Sequence, residues 1–153
     1  MKTLKNLSLV WFASLFLFTT GCKKETVTDY TDGPIGMSTT LKTGSLARQN
    51  SPGTPDTKGS LVVVKDAKNA EFLKLNADFQ SGFATGTVAV YLAKSDGEIK
   101  AQRTAAASNI QAIGFVNKNG EQYLKVNGSS AGFTHIVLYC ETAEVNFAAA
   151  PLK

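Results

Sequence analysis

Histidine and cysteine are the scarcest chemically reactive residues in this 153-residue chain, which has one His (His135) and two Cys (Cys22 and Cys140). One histidine excludes a multi-His metal centre within a single chain. The chain also has no Cys-x-x-Cys-His pattern for covalent haem, no Gly-x-Gly-x-x-Gly turn and no His-Glu-x-x-His motif. We therefore expect neither a metal site nor a cofactor site within the chain.

Residues that would mark a hydrolase are equally few. A Ser-His-Asp triad would have to use His135, nothing singles out a nucleophilic serine, and we expect no Gly-x-Ser-x-Gly nucleophile elbow. Acidic residues are scattered singly along the chain rather than paired on one strand. These absences disfavour a self-contained enzyme.

Excess charge of one sign is also lacking. The chain carries 16 Lys and Arg against 12 Asp and Glu, a net charge of +4. Without Lys2 and Lys5, which lie in the first 21 residues, 14 basic side chains remain against 12 acidic ones, or +2. This charge is small and evenly spread, whereas a nucleic-acid-binding surface needs a clustered basic stripe. We expect no nucleic-acid partner.

Residues 1–21 have the pattern of an export signal. Lys2 and Lys5 precede an apolar run of 12 residues at 7–18, which is too short to span a bilayer as a helix. Thr19-Thr20-Gly21 then leads directly to Cys22, and this arrangement resembles the lipobox of bacterial lipoproteins, with Thr19 where Leu is usual. The alternative is an ordinary signal peptide cleaved near Gly21, which would leave Cys22 as a thiol.

The lipobox resemblance implies that Cys22 is lipidated and holds the protein on a membrane, since two or three acyl chains anchor stably. We then expect a lipoprotein of the bacterial cell envelope, on the outer membrane or the cell surface. Residues 22–40 are rich in Thr, Asp and Gly without apolar periodicity, which predicts a flexible tether. Residues 41–153 form the predicted domain.

Short strand patterns dominate this domain. The clearest is the period-2 alternation at 87–93, where Val88, Val90 and Leu92 share one face. Residues 99–108 have a helix-compatible composition but are short and uncapped, and we interpret them as a loop or a single turn. Asn117-Lys-Asn-Gly120 predicts a hairpin between the strands at 110–116 and 122–126. The predicted strands are 44–49, 61–65, 71–79, 87–93, 110–116, 122–126, 133–140 and 144–148. Seven or eight short strands indicate an all-β fold, an antiparallel β-sandwich or barrel.

Cys140 ends the strand at 133–140, and it is the one thiol that lipidation of Cys22 would leave. On a regular strand Cys140 shares a face with Ile136 and Leu138, whereas His135 lies on the opposite face. A combined Cys/His site would therefore require a bulge. Cys140 is either a packed core residue or a thiol with redox or ligand chemistry. Three tyrosines at strand positions would either pack or line a groove: Tyr91, Tyr123 and Tyr139.

From Leu41 to Leu152 the chain resembles the DM-thirteen electron-transfer domain family. The similarity lies in residues 87–95 (Thr-Val-Ala-Val-Tyr-Leu-Ala-Lys-Ser), in 136–140 (Ile-Val-Leu-Tyr-Cys) and in the closing segment 145–152. The resemblance implies a β-rich extracytoplasmic domain whose characteristic cysteine, here Cys140, is redox-active. The chain departs from the family pattern at two places. At Gln49-Asn50-Ser51 many family members have a His, and at Ala84-Thr85-Gly86 the sequence Pro-Asp is common.

Two functions follow from this resemblance and from the residues. In the first, a lipid-anchored domain passes electrons or exchanges thiols through Cys140, with a haem or quinone on a partner protein. In the second, the domain is a non-catalytic binding or structural module of the cell envelope, and Cys140 is packed in its core. The sequence leaves both open.

Overall fold

The structure is a computed structural model that describes residues 33–49, 52–84 and 86–153. The predicted signal at 1–21, Cys22 and the first part of the predicted tether lie outside the described residues. Within the described ranges, no helix is long and apolar enough to cross a membrane.

The described part of the chain forms eight β-strands, one short α-helix and one 3₁₀ turn, which confirms the predicted all-β class. The strands are β1 (Thr39–Arg48), β2 (Gly59–Lys65), β3 (Glu71–Leu75), β4 (Val88–Ala93), β5 (Ile110–Val116), β6 (Gln122–Val126), β7 (His135–Cys140) and β8 (Val145–Pro151). Helix α1 (Ile99–Ala105) and the 3₁₀ turn (Ala107–Asn109) lie between β4 and β5.

All strand pairs are antiparallel, and the strands lie in the order β5-β4-β7-β8-β1-β2-β3-β6 in one sheet that curls into a nearly closed barrel. The ten-residue β1 joins the two halves of this sheet. Seven of its first eight residues pair with β2, with a register shift at Leu41, and Ala47 and Arg48 pair with β8. The predicted first strand, 44–49, started five residues too late, because exposed Thr and Lys residues at 39–43 give a weak strand pattern.

The predicted hairpin between β5 and β6 is wrong. Both strands exist where expected, but β5 pairs with β4 and β6 pairs with β3, so that they form the two edges of the sheet. The edges still approach closely, since a Cβ atom on Gly114 would lie 3.1 Å from Leu124 Cδ2. Leu124 pairs with Leu73 across the β3–β6 ladder, and its side chain belongs to the interior cluster. This seam is where the barrel remains open.

Side chains divide between two apolar clusters on opposite faces of the sheet. Val88, Val90 and Leu92 point into the barrel, as their alternation predicts, together with Ile136 and Leu138 of β7. The outer cluster lies on the other face of β4, β7 and β8. Its members are Ala89, Tyr91, Ala93, Ile99, Val137, Tyr139 and Ala149. Both faces of β4 and β7 are therefore buried.

Helix α1 covers this outer cluster, and our interpretation of 99–108 as a loop or a single turn is wrong. Ile99 is fully buried in the outer cluster, and Gln102 donates from Nε2 to the carbonyls of Ser95 (3.1 Å) and Gly97 (2.6 Å). Isolated helices of seven residues are unstable in water. Packing against the sheet, which local sequence does not reveal, therefore stabilises this one.

The two ends of the barrel differ in what they carry. Thr39 pairs with Lys65 at one end, where Ile35 N–H donates to Asp66 Oδ2 at 3.3 Å. The described end of the predicted tether thus contacts the β2–β3 turn. The other end carries the β7–β8 turn at 141–144 and the last residue of β7, Cys140. The chain therefore enters the domain at the end opposite Cys140.

Phe79 closes the barrel at the Cys140 end. Its side chain is fully buried in the interior cluster although it lies four residues beyond the last residue of β3. The backbone of Phe79 passes close to that of Gly59. Only glycine fits here, because this residue has φ +134° and an added Cβ would lie 2.6 Å from Phe79 Cα. A residue with a side chain cannot occupy this position without displacing the backbone.

Candidate functional site

Cys140 is the last residue of β7 and points into the barrel. It pairs across the sheet with Val145, the first residue of β8, and shares the interior with Ile136 and Leu138, as alternation predicts. Its exposure is 1%, which places the thiol inside the packed core. However, the next four residues, 141–144, are all exposed. The thiol therefore lies at the edge of the core, one residue from a surface turn.

Two apolar clefts flank Val145, the cross-strand neighbour of Cys140. One, of about 390 Å³, lies at the end of the barrel and the other, of about 550 Å³, lies against helix α1. The first is lined by Pro52, Gly53, Pro55, Gly82, Ala84, Ala143, Val145 and Phe147. The second is lined by Glu98, Lys100, Ala101, Thr104, Ala105, Glu144 and Val145. Val145 is partly exposed and lines both clefts.

His135 takes no part in a site with Cys140. The two residues are the first and last of β7, which at about 3.3 Å per residue places them roughly 16 Å apart. His135 Nδ1 instead forms a 2.9 Å hydrogen bond with Thr134 Oγ1. Over the described ranges, no group of three His, Cys, Asp or Glu residues is arranged to hold a metal ion.

Residues 128–132 read Gly-Ser-Ser-Ala-Gly and so do match the letters of a nucleophile elbow, contrary to our expectation. Their setting differs from that of an elbow, which joins a strand to a helix. This loop joins β6 to β7, and Ser130 N–H donates to Glu71 Oε2 at 2.7 Å. Ser129 Oγ donates to the other oxygen of the same carboxylate at 2.9 Å. These serines hold the loop in place.

A second set of reactive side chains lies on the outer face of the sheet, opposite the face that carries Cys140. This tyrosine cluster consists of Tyr91 on β4, Tyr139 on β7, Arg103 on α1 and Glu141 in the β7–β8 turn. The two rings meet edge to face with centroids 6.1 Å apart. Arg103 lies over both rings, at 5.6 Å from the centroid of Tyr91 and 5.9 Å from that of Tyr139. Such contacts add to the free energy gained by burying the rings.

Hydrogen bonds join the polar ends of this cluster. Tyr91 Oη donates to Glu141 Oε1, and Arg103 donates to both Tyr91 Oη (2.8 Å) and Glu141 Oε1 (3.0 Å). Tyr91 is 6% exposed and Tyr139 is 1% exposed, whereas the side chains of Arg103 and Glu141 are partly exposed. The cluster therefore connects a buried phenol to a carboxylate that reaches solvent.

Burial and the neighbouring carboxylates favour the neutral forms of the two phenols. Burial, followed by the hydrogen bond to Glu141, raises the pKa of Tyr91 to about 12. Burial and the negative charges of Glu141 and Glu144 also raise the pKa of Tyr139. Glu141 in turn raises the pKa of Arg103, so the guanidinium stays charged. At neutral pH the cluster holds two phenols, one cation and one carboxylate.

The sequence pointed to the two tyrosines of this cluster but not to its charged residues. It singled out Tyr91 and Tyr139, and their shared outward face follows from strand alternation. Tyr123, the third tyrosine, lies apart on β6 beneath Lys74, whose Nζ is 5.5 Å from the ring centroid. Arg103 and Glu141 carried no signal, because α1 was not predicted and their contacts join residues far apart in the chain.

Comparison with known proteins identifies a family. A family model described as "Electron transfer DM13" matches residues 51–152, a range that includes β2 to β8, Cys140 and the whole tyrosine cluster. No curated protein and no solved structure matches the chain.

Proposed function

The chain belongs to the DM13 electron-transfer family, and from that membership we propose that it exchanges electrons with another protein of the cell envelope through Cys140. The observation that carries this proposal is the family match across β7, because Cys140 is the one cysteine of the matched range. In this proposal the partner supplies the haem, quinone or disulfide with which the thiol reacts.

Access to Cys140 requires a local opening of the barrel end. The thiol is 1% exposed, so a partner's redox group cannot touch it in the closed state. The β7–β8 turn is exposed, Glu144 in it has the unfavourable φ of +54°, and the adjoining cleft of about 390 Å³ leaves Val145 unsupported on one side. These features favour separation of Cys140 from Val145 while the rest of the barrel stays folded.

Lipid at Cys22 would give this domain a defined orientation. The described chain enters at the Thr39 end of β1, and Cys140 lies at the opposite end of the barrel. A domain anchored through Cys22 would then present the Cys140 end away from its own membrane surface. The Cys22→Ser variant tests the anchor: it should move from the membrane fraction to the soluble fraction, and retention on membranes would count against lipidation.

Equilibration of the purified full chain with glutathione redox buffers tests the role of Cys140. We expect Cys140 to convert reversibly between the thiol and a glutathione mixed disulfide as the buffer becomes oxidising, with alkylation and mass spectrometry as the readout. The Cys140→Ala variant gives the background from Cys22. A Cys140 thiol that remains reduced in every buffer, yet reacts after unfolding, would refute the proposal.

The second candidate function is a non-catalytic envelope module in which Cys140 only packs. The 1% exposure of the thiol favours it. In that case Cys140→Ser costs about 1–3 kcal/mol of stability, because it buries a hydroxyl among apolar side chains. The redox state of the partner would not change in this variant.

A further inference from the structure

We propose that Tyr91 is a second redox centre of this domain, which gives its electron to a strong one-electron oxidant on a partner while its phenolic proton moves to Glu141. The proposal goes beyond the role of Cys140 and does not depend on it. It rests on the hydrogen bond from Tyr91 Oη to Glu141 Oε1 and on the burial of both tyrosine rings.

The chemistry balances within the cluster and the oxidant. One electron leaves the Tyr91 ring and lowers the oxidation state of the oxidant by one. The O–H bond of the phenol breaks at the same time. Its proton bonds to Glu141 Oε1, which becomes a neutral carboxylic acid, and a neutral phenoxyl radical remains. Re-reduction returns the electron to the ring and the proton from Glu141 to Tyr91 Oη. The oxidant must therefore have a reduction potential above that of the phenoxyl/phenol couple, as a high-valent haem centre has.

The geometry supplies what this reaction needs. A buried phenol cannot lose an electron and keep its proton without creating a cation in an apolar site, so an acceptor must already be in contact. Glu141 is that acceptor, and its partly exposed side chain can pass the proton to water. Arg103 donates to Tyr91 Oη at 2.8 Å and continues to hold the oxygen after the proton has left.

Tyr139 extends the pathway towards the strand that carries Cys140. Its ring is 6.1 Å from that of Tyr91, and it is the residue before Cys140 in β7. The other charged groups near the two rings are Lys100 and Glu144, which pair with each other on the same side of the sheet. Glu144 pairs with Lys100 rather than with a phenol, and so provides a control carboxylate at the other end of the same turn.

Flash photolysis tests the proposal on the full chain. A ruthenium(III) tris-bipyridine oxidant is generated by light, and tyrosyl radical formation is followed by absorbance and electron paramagnetic resonance. Tyr30 and Tyr123 are replaced by Phe in all samples, so that Tyr91 and Tyr139 are the remaining tyrosines. We expect a radical that disappears in Tyr91→Phe, a substitution that keeps the packed ring.

The Glu141→Gln variant tests the proton acceptor, with Glu144→Gln as its matched control. We expect Glu141→Gln to slow radical formation at least about tenfold and to change its solvent deuterium isotope effect, while Glu144→Gln changes neither. A radical that persists in Tyr91→Phe, the absence of any radical, or equal rates in the two glutamine variants would each overturn the proposal. The Cys140→Ala variant should form the radical normally, so failure of the role proposed for Cys140 would leave this result unaffected.

Discussion

The rate at which a thiol reagent modifies Cys140 should reveal how the buried thiol becomes accessible. Exposing it by local opening breaks the pairing of Cys140 with Val145, which is one or two hydrogen bonds at about 1 kcal/mol each. It also exposes the partly buried Val145 side chain, at about 1 to 2 kcal/mol. The sum of about 2 to 4 kcal/mol predicts labelling slowed roughly 30-fold to 1,000-fold relative to the unfolded chain.

The assay follows incorporation of a maleimide by mass spectrometry in the full chain, at a series of urea concentrations below the unfolding transition. Local opening exposes little surface, so the labelling rate should barely change with urea. Opening by global unfolding would cost about 5–15 kcal/mol and would give a steep urea dependence. The Cys140→Ala variant measures any label on Cys22.

Two valine variants distinguish the mechanisms further. Val145→Ala removes two methyl groups beside Cys140, and a loss of about 1 kcal/mol should speed labelling about fivefold. Val126→Ala is the matched control, because Val126 is buried in the same interior at the other end of the barrel. It should leave labelling unchanged under local opening. Equal acceleration by both variants, or a steep urea dependence, would refute the local-opening argument.

Three further predictions concern stability. Because the pKa of Tyr91 is raised to about 12, the neutral phenol stabilises the fold below pH 10, and this stabilisation is lost between about pH 10 and 12. Urea unfolding over this pH range should show that the free energy of unfolding falls by about 2 kcal/mol, and by less in Tyr91→Phe. An identical fall in both proteins would contradict this prediction. Burial opposes ionisation of Glu71, but hydrogen bonds from Ser130 and its neighbour outweigh burial and lower the pKa of the carboxyl. Glu71→Gln should therefore cost about 1–2 kcal/mol at pH 7, and wild-type stability should fall towards that of the variant as the pH drops below about 4.5; unchanged stability at pH 7 would contradict this. Gly59→Ala should lower the free energy of unfolding in urea by more than about 2 kcal/mol, because its Cβ would lie 2.6 Å from a backbone atom. The control Gly53→Ala, whose Cβ would have no atom within 4 Å, should lower it by about 1 kcal/mol. Equal losses in the two variants would contradict the steric explanation.

Local sequence predicted the strands better than their partners. The period-2 pattern of β4 identified the inward residues Val88, Val90 and Leu92, and the same alternation placed Cys140 and His135 on opposite faces. Strand pairing depends on contacts across the whole chain, so the Asn-Gly turn signal gave a hairpin where the structure has two sheet edges. Alternation is a local property and pairing is not.

Burial and charge pairing at the site were least accessible to sequence reasoning. The sequence left Cys140 open between core and surface, because a strand-end position is compatible with both. The tyrosine cluster depends on helix α1, which is stable only where it packs on β4 and β7. Its key contact joins Tyr91 to Glu141, fifty residues apart. Only the three-dimensional fold brings these groups together.

The oxidation state of Cys140 in living cells tests the central claim most directly. Cells that produce the full chain are quenched in acid during growth with and without oxygen, and their thiols are alkylated under denaturing conditions. Mass spectrometry then gives the oxidised fraction of Cys140, including any covalent link to another protein. Electron exchange through Cys140 predicts that this fraction changes with the electron acceptor supplied. A Cys140 thiol that is fully reduced under every condition would contradict it.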